Sequence, residues 1–168
     1  MSTSLFARWV QHTRRVSGIC CSCLCVFALS NEACAQSSGV SVIALRTNSN
    51  PKRYVYTVQN GSAKTIIGVR IGEGADKCEL STPPLGWTAD DGLPATSWSA
   101  SSGWTVEAFG EEESPTWCID VNPMGIVGIA QGGTAQVVIE AEHDDNTYMT
   151  TPVLIYFRDG TQLSVQAH

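Results

Sequence analysis

Histidine is scarce in this chain, with three among 168 residues. Only His143 and His168 lie beyond the first 35 positions. No Gly-x-Ser-x-Gly elbow exposes a serine for attack. Beyond residue 35 no Cys-x-x-Cys pair suggests redox work or zinc. The glycine pairs Gly72-Glu-Gly74 and Gly132-Gly133 do not follow a strand-to-helix pattern, so they read as turns rather than phosphate loops. No segment keeps a helical period over three turns. No predominantly apolar run is long enough to span a bilayer, which takes about 20 residues. Together these gaps point away from an enzyme and from any cofactor or metal centre.

An apolar, uncharged run, Val16–Leu29, follows Arg8, Arg14 and Arg15. After it come a polar break, Ser30-Asn-Glu32, and the small-x-small pattern Ala33-Cys34-Ala35. This order of positive start, apolar stretch and small-residue site reads as a cleavable signal peptide over 1–35, with Gln36 as the new N-terminus. An uncleaved N-terminal anchor is the alternative. The expected location is periplasmic or extracellular.

Removing that leader changes the chemistry of what remains. Five of seven cysteines leave, including the cluster Cys20-Cys21-Ser-Cys23-Leu-Cys25, which serves as small hydrophobes in an apolar run. Cys78 and Cys118 stay, and an even count in an oxidising compartment argues for a disulfide. It would close a loop of about 40 residues, a contribution of roughly 4 kcal/mol on the chain-entropy account. Two separate buried thiols are the alternative. The net charge falls from −6 to −8, from 7 basic against 15 acidic residues. That disfavours nucleic acid and anionic membrane as partners. Residues 36–168 suit a single domain with its own core and no membrane span.

Period-two alternation organises that domain. Arg53–Gln59 puts Tyr54, Tyr56 and Val58 on one face of a strand. Asn60-Gly61 signals a hairpin to Thr65–Ile71. Gly125–Ala130 and Ala135–Ala141 flank Gln131-Gly-Gly-Thr134, a second expected hairpin. Val153–Phe157 and Gln162–Gln166 flank Arg158-Asp-Gly-Thr161, a third. Between them, 72–125 is rich in Gly, Pro, Ser and Asp, with short apolar pieces at Cys78–Leu80, Leu85–Thr88, Trp104–Phe109 and Trp117–Val121. Seven to nine short strands at this spacing predict an all-β sandwich of two antiparallel sheets. A small barrel or jelly roll is the alternative.

Tyr54-Val-Tyr-Thr-Val-Gln-Asn60 resembles the Y-x-Y-x-V-x-N strand of many bacterial secreted immunoglobulin-like modules. Pro84-Leu-Gly-Trp87 is similar to a P-x-G-W element that often follows it. Gly132–Ile139 and Phe157–Gly160 resemble their penultimate hairpin and closing turn. The resemblance spans about 54–165. It implies an immunoglobulin-like sandwich and no particular activity.

Four tryptophans, Trp87, Trp98, Trp104 and Trp117, fall within 31 residues, bracketed by Cys78 and Cys118. Exposed indoles stack on the flat apolar face of a sugar ring, with a nearby carboxylate or amide for its hydroxyls. The same rings could instead fill the core. Glu111–Glu113, Asp90-Asp91 and Asp144-Asp145-Asn146 are hard-oxygen clusters without EF-hand spacing, and read as solvated turns. The expected function is a non-catalytic binding or adhesion module for an unknown protein or glycan. A structural or assembly component of the cell envelope is the alternative, and a small hydrolase using paired carboxylates or His143 ranks last.

Overall fold

A computed structural model describes residues 39–74, 77–111 and 114–168. The expected leader, 1–35, lies outside the described residues. What is described is an all-β sandwich of nine strands in two antiparallel sheets. The only α-helical piece among the described residues is one turn, Thr147–Thr150. No helix there is long and apolar enough to cross a membrane.

The first sheet holds β1 (Val40–Arg46), β2 (Lys52–Asn60), β7 (Thr134–Ala141) and β4 (Trp98–Ala100), in the order β1-β2-β7-β4. The second holds β5 (Trp104–Glu111), β6 (Ser114–Pro123), β3 (Ile66–Ile71), β8 (Pro152–Phe157) and β9 (Gln162–Gln166), in the order β5-β6-β3-β8-β9. The core forms where their inner faces meet. Tyr54, Tyr56 and Val58 from β2 are buried there, as the alternation requires. They share the core with Val69 and Ile71 of β3, Ile119 and Val121 of β6, and Val153 and Ile155 of β8.

Two of the three expected hairpins do not form. After Asn60 the chain crosses to the other sheet, so β2 pairs with β1 and β7 while β3 pairs with β6 and β8. The reason lies in the Asn60 side chain, which is 1% exposed. Its Nδ2 donates to the carbonyls of Lys64 and Ile129, both at 2.7 Å, and its Oδ1 accepts from the amide and hydroxyl of Ser62. This side chain anchors a corner between sheets rather than a two-residue turn. Residues 125–130 likewise form no strand beside β7. Ile129 bridges Ile66 of the opposite sheet instead, which draws that segment away. The third hairpin is present, with Tyr156 opposite Gln162.

The stretch after β3 is tied down by Cys78 and Cys118, which are disulfide-bonded. Leu80 then pairs with Trp117 through two backbone hydrogen bonds of 3.1 and 2.9 Å. This short segment thus takes up position beside β6 where β3 ends at Ile71. Gly72 allows the turn: its φ is +85°, and a Cβ there would lie 2.5 Å from Cγ of the buried Leu80.

Candidate functional site

The outward face of the five-stranded sheet carries a row of charged groups flanked by aromatic rings. Strand pairing sets Glu107 of β5 opposite Asp120 of β6, and Leu154 of β8 opposite Arg70 of β3. Asp120 and Arg70 are themselves opposite one another, so the charged residues stand in one row across the sheet. Arg70 Nε and Nη2 donate to Asp120 Oδ1 and Oδ2 at 2.6 and 3.1 Å. Its Nη1 donates to Glu73 Oε2 at 2.7 Å. The guanidinium carbon lies 5.1 Å from the ring centre of Phe109 and 5.8 Å from that of Tyr156, within cation–π range of both.

This environment alters the titrating groups. The hydrogen bond to Asp120 raises the Arg70 pKa above its already high ordinary value, outweighing partial burial, and the bond to Glu73 adds to it. Partial burial raises the Tyr156 hydroxyl, against an opposing pull from Arg70. Arg70 is therefore a permanent cation in a fixed geometry, with two carboxylates matched to it.

Beside the Arg70 row runs a trough. Its lining is Ile67, Gly68, Arg70, Asp120, Asn122 and Tyr156, and its volume is about 290 Å³. Gly68 makes the floor. A Cβ on it would sit 3.4 Å from both Asn122 Oδ1 and Tyr156 Cδ2, so any longer side chain would fill the space. A second trough of about 370 Å³ shares Ile67 and Asn122 and continues past Ile126 and Arg158. Met124, Ile126 and Val127 rise beside it as exposed aliphatic side chains, with Ile126 90% exposed. Two hydrogen bonds hold this loop, from Met124 N to the Gly103 carbonyl at 2.7 Å and from Arg158 Nη2 to the Ile126 carbonyl at 2.8 Å.

The four tryptophans are elsewhere. Trp104 is buried in the core, and Trp98 and Trp117 are half-buried against it. Trp87 is half-buried at the β5 edge, donating from Nε1 to the Ala108 carbonyl at 2.8 Å. Trp87 and Trp117 are brought together edge to face, with ring centres 5.9 Å apart, while Trp98 and Trp104 take no part in that pair. The acidic turn at 144–146 is not a solvated cluster. Asp145 is buried and accepts hydrogen bonds from the hydroxyls of Ser81, Thr82 and Thr147 and from the Thr147 amide. Asp144 pairs with Arg46 at 2.7 Å. His143 is exposed on the same turn.

Arg70, Phe109, Asp120, Asn122 and Tyr156 were not singled out as a set by sequence reasoning, because their proximity depends on the strand order. One signal was available: Asp120 and Asn122 interrupt β6 at alternate positions, marking its outward face.

No family model and no curated protein matches the chain. Among solved structures it is similar to the GH20 exo β-N-acetylglucosaminidase of Vibrio harveyi in complex with N-acetylglucosamine, at 16% identity and a TM-score of 0.44. It is also similar to an inactive mutant of that enzyme, at 14% identity and a TM-score of 0.42. Each alignment covers 78% of this chain and 18% of the other, so the chain spans less than a fifth of those proteins.

Proposed function

We propose that the protein is an exported, non-catalytic binding module whose outer five-stranded face receives a partner. The observation that carries this reading is the Arg70 row with its adjoining troughs. A binding surface profits from groups already held in place, since ordering side chains on association costs affinity. Arg70 is held from two sides, and the Met124–Val127 loop is pinned at both ends. The mixture of a few fixed polar groups with apolar walls is that of a recognition site. Exposed aliphatic residues gathered in one loop add to the case.

The test uses the full chain, exported into an oxidising compartment and purified. It is compared with Asn122→Arg, which puts a bulky group at the junction of the two troughs. Protein cross-linked from envelope and culture fractions, and glycans on an array, are scored for both. Material retained by the wild type and lost from the variant is expected. Equal retention by the two, or none by either, removes the reading.

A further inference from the structure

We infer that the ligand of this face is a neutral oligosaccharide, seated over Gly68 with the Tyr156 ring as its apolar wall. This rests on the binding reading above and adds the ligand's chemistry. Three features of the face favour that class.

The first is the shape of the trough. Gly68 sits in β3, the middle strand of five, where a side chain would normally fill the space between neighbours. Instead the floor is bare backbone, flanked by the Tyr156 ring on one strand and the Asn122 amide on another. A flat ring with one apolar face and a rim of hydroxyls matches such a slot, its face against the tyrosine and its rim toward the amide. The continuation of the trough past Asn122 gives room along the same line for a chain of sugars rather than one.

The second is the polar lining. A sugar hydroxyl both donates and accepts, so it needs donors and acceptors side by side. Asn122 is exposed and supplies both from one amide. The Asp120 carboxylate accepts, and the Arg70 guanidinium donates. Arg70 and Asp120 hold each other in position, so a ligand does not have to order them.

The third is charge. Three carboxylates, Glu73, Glu107 and Asp120, stand with Arg70 on this face, and the residues after the expected leader sum to −8. Arg70 spends its fork on Asp120 and Glu73, which leaves it poorly placed to clamp a phosphate, sulfate or uronate in two-point fashion. A polyanionic glycan or nucleic acid would meet net repulsion, whereas a neutral glycan would not.

The experiment titrates the exported protein with array-selected neutral oligosaccharides, starting from cello-, manno- and xylohexaose. A heparin-derived hexasaccharide and oligogalacturonate serve as polyanionic probes. Calorimetry is run on wild type, Gly68→Val and Tyr156→Ala. Gly68→Val fills the trough without removing a donor or acceptor. Tyr156→Ala removes the apolar wall, and keeps the proposal testable if valine disturbs β3. At least one neutral oligosaccharide should bind, and each variant should weaken it tenfold or more with the circular dichroism spectrum unchanged. Affinity equal to wild type in both folded variants overturns the site. Preference for either polyanion overturns the ligand class. Absence of glycan binding, alongside a cross-linked protein lost in Asn122→Arg, also overturns the ligand class while leaving the binding reading intact. Absence of both removes the two together.

Discussion

Arg70 and Asp120 meet across β3 and β6 through two hydrogen bonds, with side chains 28% and 21% exposed. The pair is partly shielded from water, so it is worth more than an exposed ion pair and less than a buried one. Asp120→Asn keeps the shape and removes the charge, leaving Arg70 with Glu73. The expected loss is about 1 kcal/mol. Arg70→Leu should cost more, about 2 kcal/mol, because Asp120 and Glu73 then lose their shared cation. Denaturant midpoints at constant slope would measure both. An Arg70→Leu variant as stable as wild type would show that the network contributes nothing to folding.

Asn60 is a corner piece between the sheets, and its replacement should be felt at Ile129, 69 positions away. Asn60→Ala leaves the Lys64 and Ile129 carbonyls without that donor and Ser62 without its acceptor. Each stranded group costs about 1–3 kcal/mol when water cannot reach it. The expected loss is about 2–4 kcal/mol. Asn60→Asp should be no better, since a carboxylate cannot donate to the two carbonyls. Thermal and chemical unfolding of both variants would check this.

The same residue explains why the strand content was legible and part of the topology was not. Alternation in Tyr54-Val-Tyr-Thr-Val58 shows which side chains turn inward, because burial on one face of a strand is a local property. The Asp-Gly turn at 159–160 could likewise be read locally, and it closes β8 onto β9. Asn60-Gly61 has equally strong hairpin chemistry, but the Asn60 side chain is taken by a carbonyl far along the chain. Nothing near position 60 records that. The face around Arg70 was hidden for a related reason. Its members come from β5, β6, β3 and β8, and only the sheet order makes them neighbours. The tryptophans drew notice by composition, yet the large aromatic side chain left exposed on this face is Phe109.

Cys78 and Cys118 close a loop separated by 40 positions that includes β4 and β5. The bridge restrains the unfolded chain more than the folded one, which the Leu80–Trp117 pairing and the β5–β6 ladder already hold. Removing it as Cys78→Ser with Cys118→Ser should cost about 2–4 kcal/mol. The fold should survive, with circular dichroism unchanged in native buffer and an earlier midpoint in urea. An identical midpoint for the double variant would mean that the reduced, unfolded chain is already compact around this loop.

Stability should fall at both ends of the pH scale, for separate reasons. All four tyrosines have raised pKa values. Burial is the leading cause in each case: for Tyr54, where a bond from the Asp145 amide opposes it; for Tyr56; for Tyr148, where Asp145 adds to it; and for Tyr156, where Arg70 opposes it. A hydroxyl that holds its proton more tightly when folded contributes stability that is complete below the unfolded value, about 10. That contribution is lost as pH rises beyond it, because the unfolded chain ionises first. Tyrosinate absorbance should therefore stay flat to about pH 10 and then rise together with loss of the far-ultraviolet signal. Reversible ionisation of a tyrosine below that pH in folded protein would contradict the account. The acid limb belongs to Asp145. Burial would raise its pKa, but hydrogen bonds from Thr147, Thr82 and Ser81 outweigh burial and hold it below the ordinary range. A depressed value contributes stability above the unfolded value of about 4 and loses it as pH falls through the folded one. Asp145→Asn does not titrate, so the gap in stability between wild type and variant should be widest near neutral pH and close as the pH falls through the acid range. A gap that stays constant between neutral and strongly acidic pH would show that the Asp145 charge plays no part in holding the 81–82 loop to the 145–148 turn.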